Sequence, residues 1–343
     1  MGESIRGLAG MMRFRASRKR ELRDHEAMGV GSFKARRSAP RMRVELASSV
    51  VAGACRSAIF SVALLIGGGA SGEPVRELPP ANLPVYELGD TFIYSDGRVE
   101  TVVSVDGERI TWSNNQGLRY TSWRNFILPR LSWDGEATSG KRQVGAPPDA
   151  LWPLRVGGSL SFRSTATVAQ IDDGASDTIS NDWKCRVGSA KTVEVAAGTF
   201  DTFQVSCDRH ARFGAFLQER IWYYAPVLGH YVLRIDNFSR ESSRRVETLA
   251  VRPGLRALSE SARGEVEESF QTALETQLSG SATVWRDGET GMAVRVRPVA
   301  TFRLSSGAYC RRFVQEINSG GQDRTFAGIA CRDATGNWHV PQR

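Results

Sequence analysis

Four of the five cysteines of this chain are spaced so that they can pair as two disulfides. Cys185, Cys207, Cys310 and Cys331 allow three connectivities. Proximity along the chain favours Cys185–Cys207 and Cys310–Cys331, each closing a loop of about 22 residues worth roughly 3 kcal/mol by the chain-entropy argument. Such bridges persist only in an oxidising compartment. The cysteines therefore predict an exported protein.

The register of a β-hairpin supports the second bridge independently. Two runs rich in aromatic and β-branched residues flank Gly320-Gly321, a two-residue turn signal. With the turn at this point, Cys310 faces Cys331 in a non-hydrogen-bonded pair, whose Cα atoms are about 4.5 Å apart. A disulfide tolerates roughly 4.4–6.8 Å. The same register sets Phe313 opposite Gly328, where an aromatic ring can cover a bare glycine backbone.

Metal-ligand spacing is absent from the sequence. The four histidines, His25, His210, His230 and His339, are scattered, and neither HExxH nor CxxC occurs. An acidic loop lacks the alternating oxygens and terminal glutamate of a calcium loop and indicates a solvated turn; it contains Asp172, Asp173, Asp177 and Asp182. We therefore expect no metal.

Catalytic motifs are absent as well. The chain has no GxSxG elbow, phosphate-binding loop or GxGxxG fingerprint. We predict a protein that is not an enzyme, with no catalytic residue and no cofactor. A hydrolase remains the alternative, because distant carboxylates such as those of Glu219 and Asp236 could meet in the fold.

Aromatic residues offer two readings. An apolar-ligand cavity could be lined by Trp112, Trp123, Trp222, Tyr223 and Tyr224. Aromatic side chains in strands also form cores and cross-strand pairs without any ligand, and this interpretation is favoured. The first reading predicts a closed pocket of roughly several hundred Å³.

The positive charge is confined to the beginning of the chain. Residues 1–44 hold 12 of the 45 Lys and Arg and 4 of the 37 Asp and Glu, which accounts for the net charge of +8. The remaining residues carry 33 basic and 33 acidic groups. A neutral body gives no general attraction to phosphate backbones, so we predict no nucleic-acid partner.

A leader is predicted over residues 1–72. Its basic head precedes a short apolar core, Ala58–Ile66, and a small-residue exit, the pattern of a secretory signal peptide. A membrane anchor, a later translation start and lipidation at Cys55 are alternatives. The box around Cys55 is poor, since the apolar stretch follows the cysteine. A Pro-rich linker occupies residues 73–84.

Residues 85–252 read as a β-meander. Asp96-Gly97 and Asp106-Gly107 separate β-prone runs and favour type I′ turns. Roughly nine or ten strands are expected, enough for a curved antiparallel sheet or an open barrel. This region resembles exported β-rich proteins of unknown function in Gram-negative bacteria, through Val195–Phe203 and Trp222–Gly229.

Residues 253–343 predict a small α+β domain. Leu258, Ala262, Val266, Phe270 and Leu274 recur every four residues, the stripe of an amphipathic helix that ends at Ser279-Gly280. About four antiparallel strands complete the unit. The fold class is therefore mainly β, with one helix packed on the second sheet.

An ordered series of motifs in this last part resembles the surface-antigen lipoproteins of the rickettsial type. It comprises Ala273–Glu275, Ser279 to Trp285, Asp287 to Gly291, Pro298 to Phe302, Tyr309 to Phe313, Gly328 to Arg332 and Gly336 to Trp338. The resemblance covers about 70 residues. It implies an envelope location and a structural or binding role without known catalysis. A lipoprotein box, usual in that family, is poor here, which leaves membrane anchoring open.

Taken together, these observations predict a non-enzymatic exported protein in the periplasm or outer membrane of a Gram-negative bacterium. A periplasmic carrier of an apolar ligand or lipid is the alternative. Expected partners are envelope components or a membrane surface. Arginines of the last domain could contact anionic lipid headgroups or glycans, although the favoured interpretation is that they are strand charges facing water: Arg295, Arg297, Arg311 and Arg312. The oligomeric state is not predicted.

Overall fold

The computed structural model describes residues 77–341. The predicted basic head and signal peptide, and Cys55 with its proposed lipid, lie outside the described residues. The Pro-rich linker is described from residue 77 onward. Within it, Ala81 exchanges two backbone hydrogen bonds with Leu154, of 3.1 and 2.8 Å.

Twelve antiparallel strands form a closed barrel. Each strand pairs with the next along the chain, and β1 pairs with both β2 and β12, which closes the ring. The strands are β1 Thr91–Tyr94, β2 Val99–Asp106, β3 Arg109–Asn114, β4 Arg119–Trp123, β5 Ser132–Asp134, β6 Thr138–Val144, β7 Ser159–Gln170, β8 Ser176–Val195, β9 Gly198–Ala211, β10 Phe216–Ala225, β11 His230–Phe238 and β12 Arg244–Arg252. The predicted mainly β fold is confirmed, and the curved sheet is closed rather than open.

The turns follow local sequence. Gly97 and Gly107 have φ of 84° and 55°, the left-handed values that glycine adopts without a steric cost. They place β1 against β2 and β2 against β3, as the Asp-Gly pairs predict. A short 3₁₀ helix, Pro226–Leu228, turns the chain from β10 into β11.

A second, smaller group of strands follows the barrel. It consists of β13 Thr283–Arg286, β14 Ala293–Arg303, β15 Tyr309–Ser319, β16 Gln322–Arg332 and β17 Trp338–His339, all antiparallel. Helix α1, Glu260–Thr276, packs on them, and its Phe270 ring meets Phe313 edge to face at 5.0 Å. Ser259 caps the helix by accepting a hydrogen bond from the amide of Ala262. Among the residues described, no helix has the length and apolarity needed to cross a membrane.

The helix ends earlier than the sequence predicts. Its last residue is Thr276, and Leu278, which lies within the predicted helix, is 79% exposed. The Arg311 guanidinium donates to the carbonyl oxygens of Leu274 and Gln277, at 2.6 and 2.8 Å. A buried cation thus satisfies carbonyls at the C-terminus of α1, where it also complements the helix dipole.

One hydrophobic core extends from the barrel to the helix. The same cluster of buried side chains includes Phe92 and Trp112 of the barrel and Phe270 and Phe313 of the last domain. The domain boundary predicted after residue 252 falls at the end of β12 and stays a prediction.

Candidate functional site

Both predicted disulfides are present. Cys185 and Cys207 are directly opposed on β8 and β9, with Cα atoms 4.0 Å apart, and both are buried. Cys310 and Cys331 are opposed on β15 and β16, with Cα atoms 3.9 Å apart. These separations are shorter than the roughly 4.5 Å expected, because a bond between directly opposed side chains draws the two strands together. The pairing predicted from proximity along the chain is confirmed.

The hairpin register is also confirmed. Gly320 and Gly321 have φ of 57° and 78°, as a type I′ turn requires. Phe313 faces Gly328, as the register predicts. Gly328 also pairs with Ala250 of β12, so a strand of the barrel approaches the hairpin at this glycine. A side chain at Gly328 would meet Ala250 Cβ directly and lie 2.7 Å from Ala250 Cα.

A buried carboxylate joins three separate segments beside this contact. Asp90 is completely buried and accepts hydrogen bonds from the amides of Glu87, at 2.8 Å, and Gly254, at 3.1 Å. It also accepts from the guanidinium of Arg324 on β16, which pairs with Glu87 at 2.8 Å. The segment before β1, the linker after β12 and the β15–β16 hairpin are therefore fixed to one another. We call residues 80–90 the strap.

Gly254 shows how closely these segments approach. A Cβ at this position would lie 2.8 Å from the amide nitrogen of Asp90 and collide with the carbonyl oxygen of Leu88. The absence of a side chain lets the backbone of the linker reach the carboxylate of Asp90. The junction between the barrel and the last domain is therefore a contact of backbones as well as of side chains.

A buried histidine holds the other side of the strap. His230 at the start of β11 lies 3.2 Å from the Tyr86 hydroxyl through Nδ1 and 2.9 Å from the Tyr94 hydroxyl through Nε2. Tyr231 donates to the Tyr94 hydroxyl at 3.2 Å. Burial, with a smaller contribution from Arg98, lowers the pKa of His230 to about 3. The ring is therefore neutral at physiological pH and acts as a hydrogen-bonding bridge.

Charged side chains inside the barrel are engaged with each other. Gln218 and Arg220 donate to Asp236, which also pairs with Arg234 at 3.0 Å. Burial alone would raise the pKa of the Asp236 carboxyl, but Arg220 and Arg234 outweigh it and the pKa is lowered. Sequence reasoning missed this cluster, since nothing in the strand pattern marks which charges face inward.

The two carboxylates considered for hydrolysis do not converge. Glu219 and Arg220 are consecutive on β10 and so point to opposite faces of the sheet. Arg220 faces Asp236, whereas Glu219 accepts from Asn237 at 3.0 Å and lies 3.5 Å from Arg186. Each carboxylate has its own partners.

The aromatic residues weighed as ligand contacts have different surroundings. Trp112, Trp222 and Tyr224 are buried in the main core. Trp123 lies partly buried beneath the Arg109 guanidinium, and Tyr223 packs against a separate apolar cluster. Their contact with a ligand stays a prediction.

Rings from the barrel wall, from the loop between β4 and β5 and from the strap pack against one another. The Phe126 ring is centred 5.7 Å from Trp222 and 5.4 Å from Tyr224, and Tyr86 meets Trp112 at 5.0 Å. These offset and edge-to-face distances are those of packed aromatic pairs.

A cavity of about 340 Å³ lies where the strap, the barrel and the last domain meet. We call it the junction cavity. Its walls are residues 80–86 of the strap, Tyr224 and residues 226–229 at the β10–β11 corner, and residues 323–326 of β16, and Phe92 and Val251 also line it. Tyr224 is the member of the predicted ligand-lining set found here.

Metal ligation has no counterpart within residues 77–341, where no group of three His, Cys, Asp or Glu side chains is arranged to hold an ion. The acidic residues bind neighbouring groups of the protein. Asp173 accepts a hydrogen bond from the amide of Ala175 at 2.9 Å, and Asp182 pairs with Arg163 at 2.7 Å.

Residues of the surface-antigen motifs meet at the end of α1. The Glu275 carboxylate accepts hydrogen bonds from two guanidinium nitrogens of Arg332, each at 3.0 Å, and from the indole nitrogen of Trp338 at 2.9 Å. Gln271 exchanges two hydrogen bonds of 2.8 Å with the backbone of Trp338. These hydrogen bonds hold β17 against helix α1, so the spacing of the motif residues has a structural explanation.

Three of the four arginines considered for membrane contact have protein partners in the structure: Arg295, Arg311 and Arg312. Arg311 binds the C-terminus of α1, as described above. Arg312 donates to the carbonyl oxygen of Ala196 at 3.1 Å and pairs with Glu194 at 3.1 Å, which links β15 to the barrel. Arg295 pairs with Glu316 at 3.8 Å.

Comparisons with known proteins identify the last domain. Residues 272–339 match the profile of the family described as 17 kDa outer membrane surface antigen. The 17 kDa surface antigens of Rickettsia conorii and Rickettsia prowazekii are each 40% identical, over 83 and 75 residues. These matches cover 24% and 22% of this chain and 52% and 47% of the two relatives. The chain thus spans about half the length of the curated relatives it matches.

A solved structure overlaps a larger part of the chain with low similarity. The hypothetical lipoprotein YmcC from Escherichia coli (K12) is 9% identical, with a TM-score of 0.33, and the match covers 48% of this chain and 87% of that protein. A likeness of this size carries no argument about the fold. The surface-antigen matches support an exported, envelope-associated protein. Over residues 272–339, the chain is similar to the 17 kDa outer membrane surface antigen family, and for this similarity we call the last domain the surface-antigen domain.

Proposed function

We propose that this protein is a non-enzymatic scaffold of the bacterial envelope, in which the barrel holds the surface-antigen domain in a fixed orientation. The observation that carries the proposal is the junction at Asp90. One buried carboxylate ties the strap, the linker after β12 and the β15–β16 hairpin together. A junction fixed at this many points presents the domain as one body with the barrel.

The disulfides support the export half of the proposal. Both are buried and join neighbouring strands, one in the barrel and one in the surface-antigen domain. Bridges of this kind are maintained in the periplasm or beyond it. The site of action is the periplasm or the periplasmic face of the outer membrane, and the partners are other envelope components or the membrane surface.

A binding role agrees better with the buried charges than a catalytic role does. Asp236 pairs with Arg220 and Arg234, which lower the pKa of its carboxyl despite its burial. Carboxylates held ionised by arginines are poor proton donors at neutral pH. This arrangement favours a structural use of the interior.

Cell fractionation tests the envelope assignment. Full-length protein with a C-terminal epitope tag is expressed in a Gram-negative host, and periplasmic, membrane and cytosolic fractions are probed alongside a cytosolic marker. We expect the tag in the periplasmic or outer-membrane fraction, with an electrophoretic shift on reduction. A reduced protein confined to the cytosolic fraction would end the proposal.

A periplasmic carrier of an apolar ligand is the second candidate. The observation in its favour is the junction cavity, whose volume lies within the range of small-molecule sites. A carrier and a scaffold differ in whether the cavity is occupied in protein recovered from cells, and native mass spectrometry should show a bound mass for a carrier and the mass of the polypeptide alone for a scaffold.

A further inference from the structure

One long side of β16 is open beside the junction cavity. β15 pairs with β16 along its whole length. On the opposite side, and within the part of the chain that the structure describes, β12 pairs with β16 at Gly328 and β17 pairs with its last two residues. Residues 322–327 have no partner strand on that side. Residues 323–326 line the junction cavity, so the cavity lies along this unpaired edge.

The register of the β15–β16 hairpin shows which main-chain groups face the open edge. Ser319 and Gln322 form the first hydrogen-bonded pair beside the two-residue turn, and pair types alternate along the ladder. Asp323 and Thr325 therefore belong to non-hydrogen-bonded pairs, and their N–H and C=O groups point away from β15. Neither residue has a main-chain hydrogen bond to another segment of the described chain. The edge thus offers a row of free donors and acceptors to the cavity.

The strap presents unpaired main chain from the other wall. Residues 82–86 form no hydrogen bond with the backbone of any other described residue. The Asn82 carbonyl accepts from the Tyr224 hydroxyl at 3.4 Å. The Val85 carbonyl accepts from the Arg324 guanidinium at 3.4 Å. The lining of the cavity is accordingly more polar than apolar, and a ligand that fits must both donate and accept hydrogen bonds.

The charged side chains of the cavity favour a cation. Two of them line it, Asp323 and Arg324. Arg324 is paired with Glu87 at 2.8 Å and with Asp90, so its charge is compensated. Asp323 accepts a hydrogen bond of 2.6 Å from the neutral amide of Asn318 and has no cationic partner among the described residues. The end of the cavity at Asp323 is therefore negative.

We infer that the junction cavity binds an extended peptide segment of another envelope protein, which adds a strand to the open edge of β16 and places a lysine or arginine beside Asp323. A strand added to an edge supplies the alternating N–H and C=O groups that this edge lacks. At about 30 Å³ for each water-sized group, 340 Å³ holds roughly eleven such groups, the main chain of about three residues.

Such a peptide is a partner for the scaffold proposed above, so the assignment rests on that role. Cell fractionation does not involve the cavity. A loss of peptide binding therefore leaves the envelope location standing, and a protein confined to the cytosol removes the location whatever the peptide does.

Nuclear magnetic resonance of the backbone amides tests the edge directly. Isotopically labelled, oxidised protein is titrated with the acetylated and amidated pentapeptide KVTVK to millimolar concentration. We expect the amides of Asp323 and Thr325 to exchange with solvent quickly in the free protein and at least tenfold more slowly at saturation, because they then donate to the added strand. No binding at millimolar concentration, or shifts confined to other parts of the chain, would overturn the inference. Slow exchange of both amides in concentrated protein alone would place a second copy on the edge and overturn it too.

Two further peptides separate backbone pairing from charge. KVTVK methylated on its three central amide nitrogens keeps its side chains and loses its donors, and each lost hydrogen bond should weaken binding about fivefold. EVTVE reverses the charge and should bind more weakly than KVTVK. Equal affinity of the methylated peptide would refute strand addition, and equal affinity of EVTVE would refute the contact with Asp323.

Three variants of the protein locate the site. Thr325→Pro removes an outward N–H from β16 and is expected to weaken KVTVK binding at least tenfold. Its matched control, Thr301→Pro, lies where β14 extends beyond its pairing with β13, and should leave binding unchanged. Asp323→Lys should reverse the preference, so that EVTVE binds more tightly than KVTVK. Thermal unfolding shows which variants are folded, and Asp323→Lys decides if Thr325→Pro is not. Equal losses in the two proline variants, or an unchanged preference in Asp323→Lys, would overturn the inference.

Discussion

Replacing Gly328 by alanine tests the contact between the barrel and the surface-antigen domain. The new methyl carbon would lie 2.7 Å from Ala250 Cα and 2.9 Å from the Leu249 carbonyl oxygen. Carbon atoms pack best at about 3.5–4.0 Å, so β12 and β16 must separate by roughly 1 Å. Overpacking of this size costs about 1–3 kcal/mol. In a chain of this length we expect the melting temperature to fall by roughly 2–12 °C.

Thermal unfolding followed by far-UV circular dichroism measures the effect, with urea denaturation giving the free energy of unfolding. The matched control is Gly264→Ala on the exposed face of α1, where an added Cβ meets nothing within 4 Å. This change should stabilise the protein by about 0.5–1 kcal/mol, because alanine favours a helix. An unchanged melting temperature for Gly328→Ala would refute the claim that β12 and β16 are in close backbone contact at Gly328.

Other predictions concern groups buried near this contact. The pKa of His230 is lowered to about 3 in the folded protein, whereas it is about 6.5 in the unfolded chain. Between these two values the unfolded chain binds the proton more readily, so the free energy of unfolding should fall as the pH drops from 6.5 toward 3, by up to about 1.4 kcal/mol per pH unit. His230→Gln should flatten that part of a melting-temperature profile, and a profile identical to wild type would contradict the assignment. Asp90→Asn should lower the free energy of unfolding in urea by about 1.5–3 kcal/mol, whereas Asp182→Asn, at an exposed ion pair, should lower it by under about 1 kcal/mol. Equal losses would contradict the claim that Asp90 holds the junction together. Replacing both Cys310 and Cys331 by alanine should lower the free energy of unfolding by roughly 3 kcal/mol, and chemical reduction of this disulfide should have the same effect. No loss in the double variant would show that the disulfide contributes nothing to stability.

Features set by neighbours in the sequence could be predicted well. The register of the last hairpin follows from a two-residue turn and the strict alternation of strands, and Cys310 faces Cys331 as expected. The Asp-Gly turns also agree with their predictions. In these cases the physical cause acts over a few residues, so it is visible in the sequence.

Two barrel strands escaped prediction because their sequences are polar or short. β5 has three residues, and β6, with the sequence TSGKRQV, lacks the apolar alternation of a half-buried strand. Gly140 in β6 is explained by its neighbour, since a side chain there would collide with the ring of Trp133. That requirement arises from the partner strand and cannot be read from β6 alone.

Closure of the barrel and the junction both depend on distant residues. β1 pairs with β12 across more than 150 positions, and Asp90 reaches Arg324 across 234. Turn chemistry and periodicity carry no information about such pairs. The buried group formed by Asp236, Arg220 and Arg234 lies on two consecutive strands and was missed for a different reason, since the strand pattern does not mark which charges face inward.

Disulfide mapping of the mature protein tests the central claim most directly. Protein recovered from the cell envelope without reduction is alkylated, digested and analysed by mass spectrometry. The account predicts peptides joined through Cys185–Cys207 and through Cys310–Cys331, with none of these four thiols alkylated. A bridge between the barrel and the surface-antigen domain, or alkylated thiols at these positions, would contradict it.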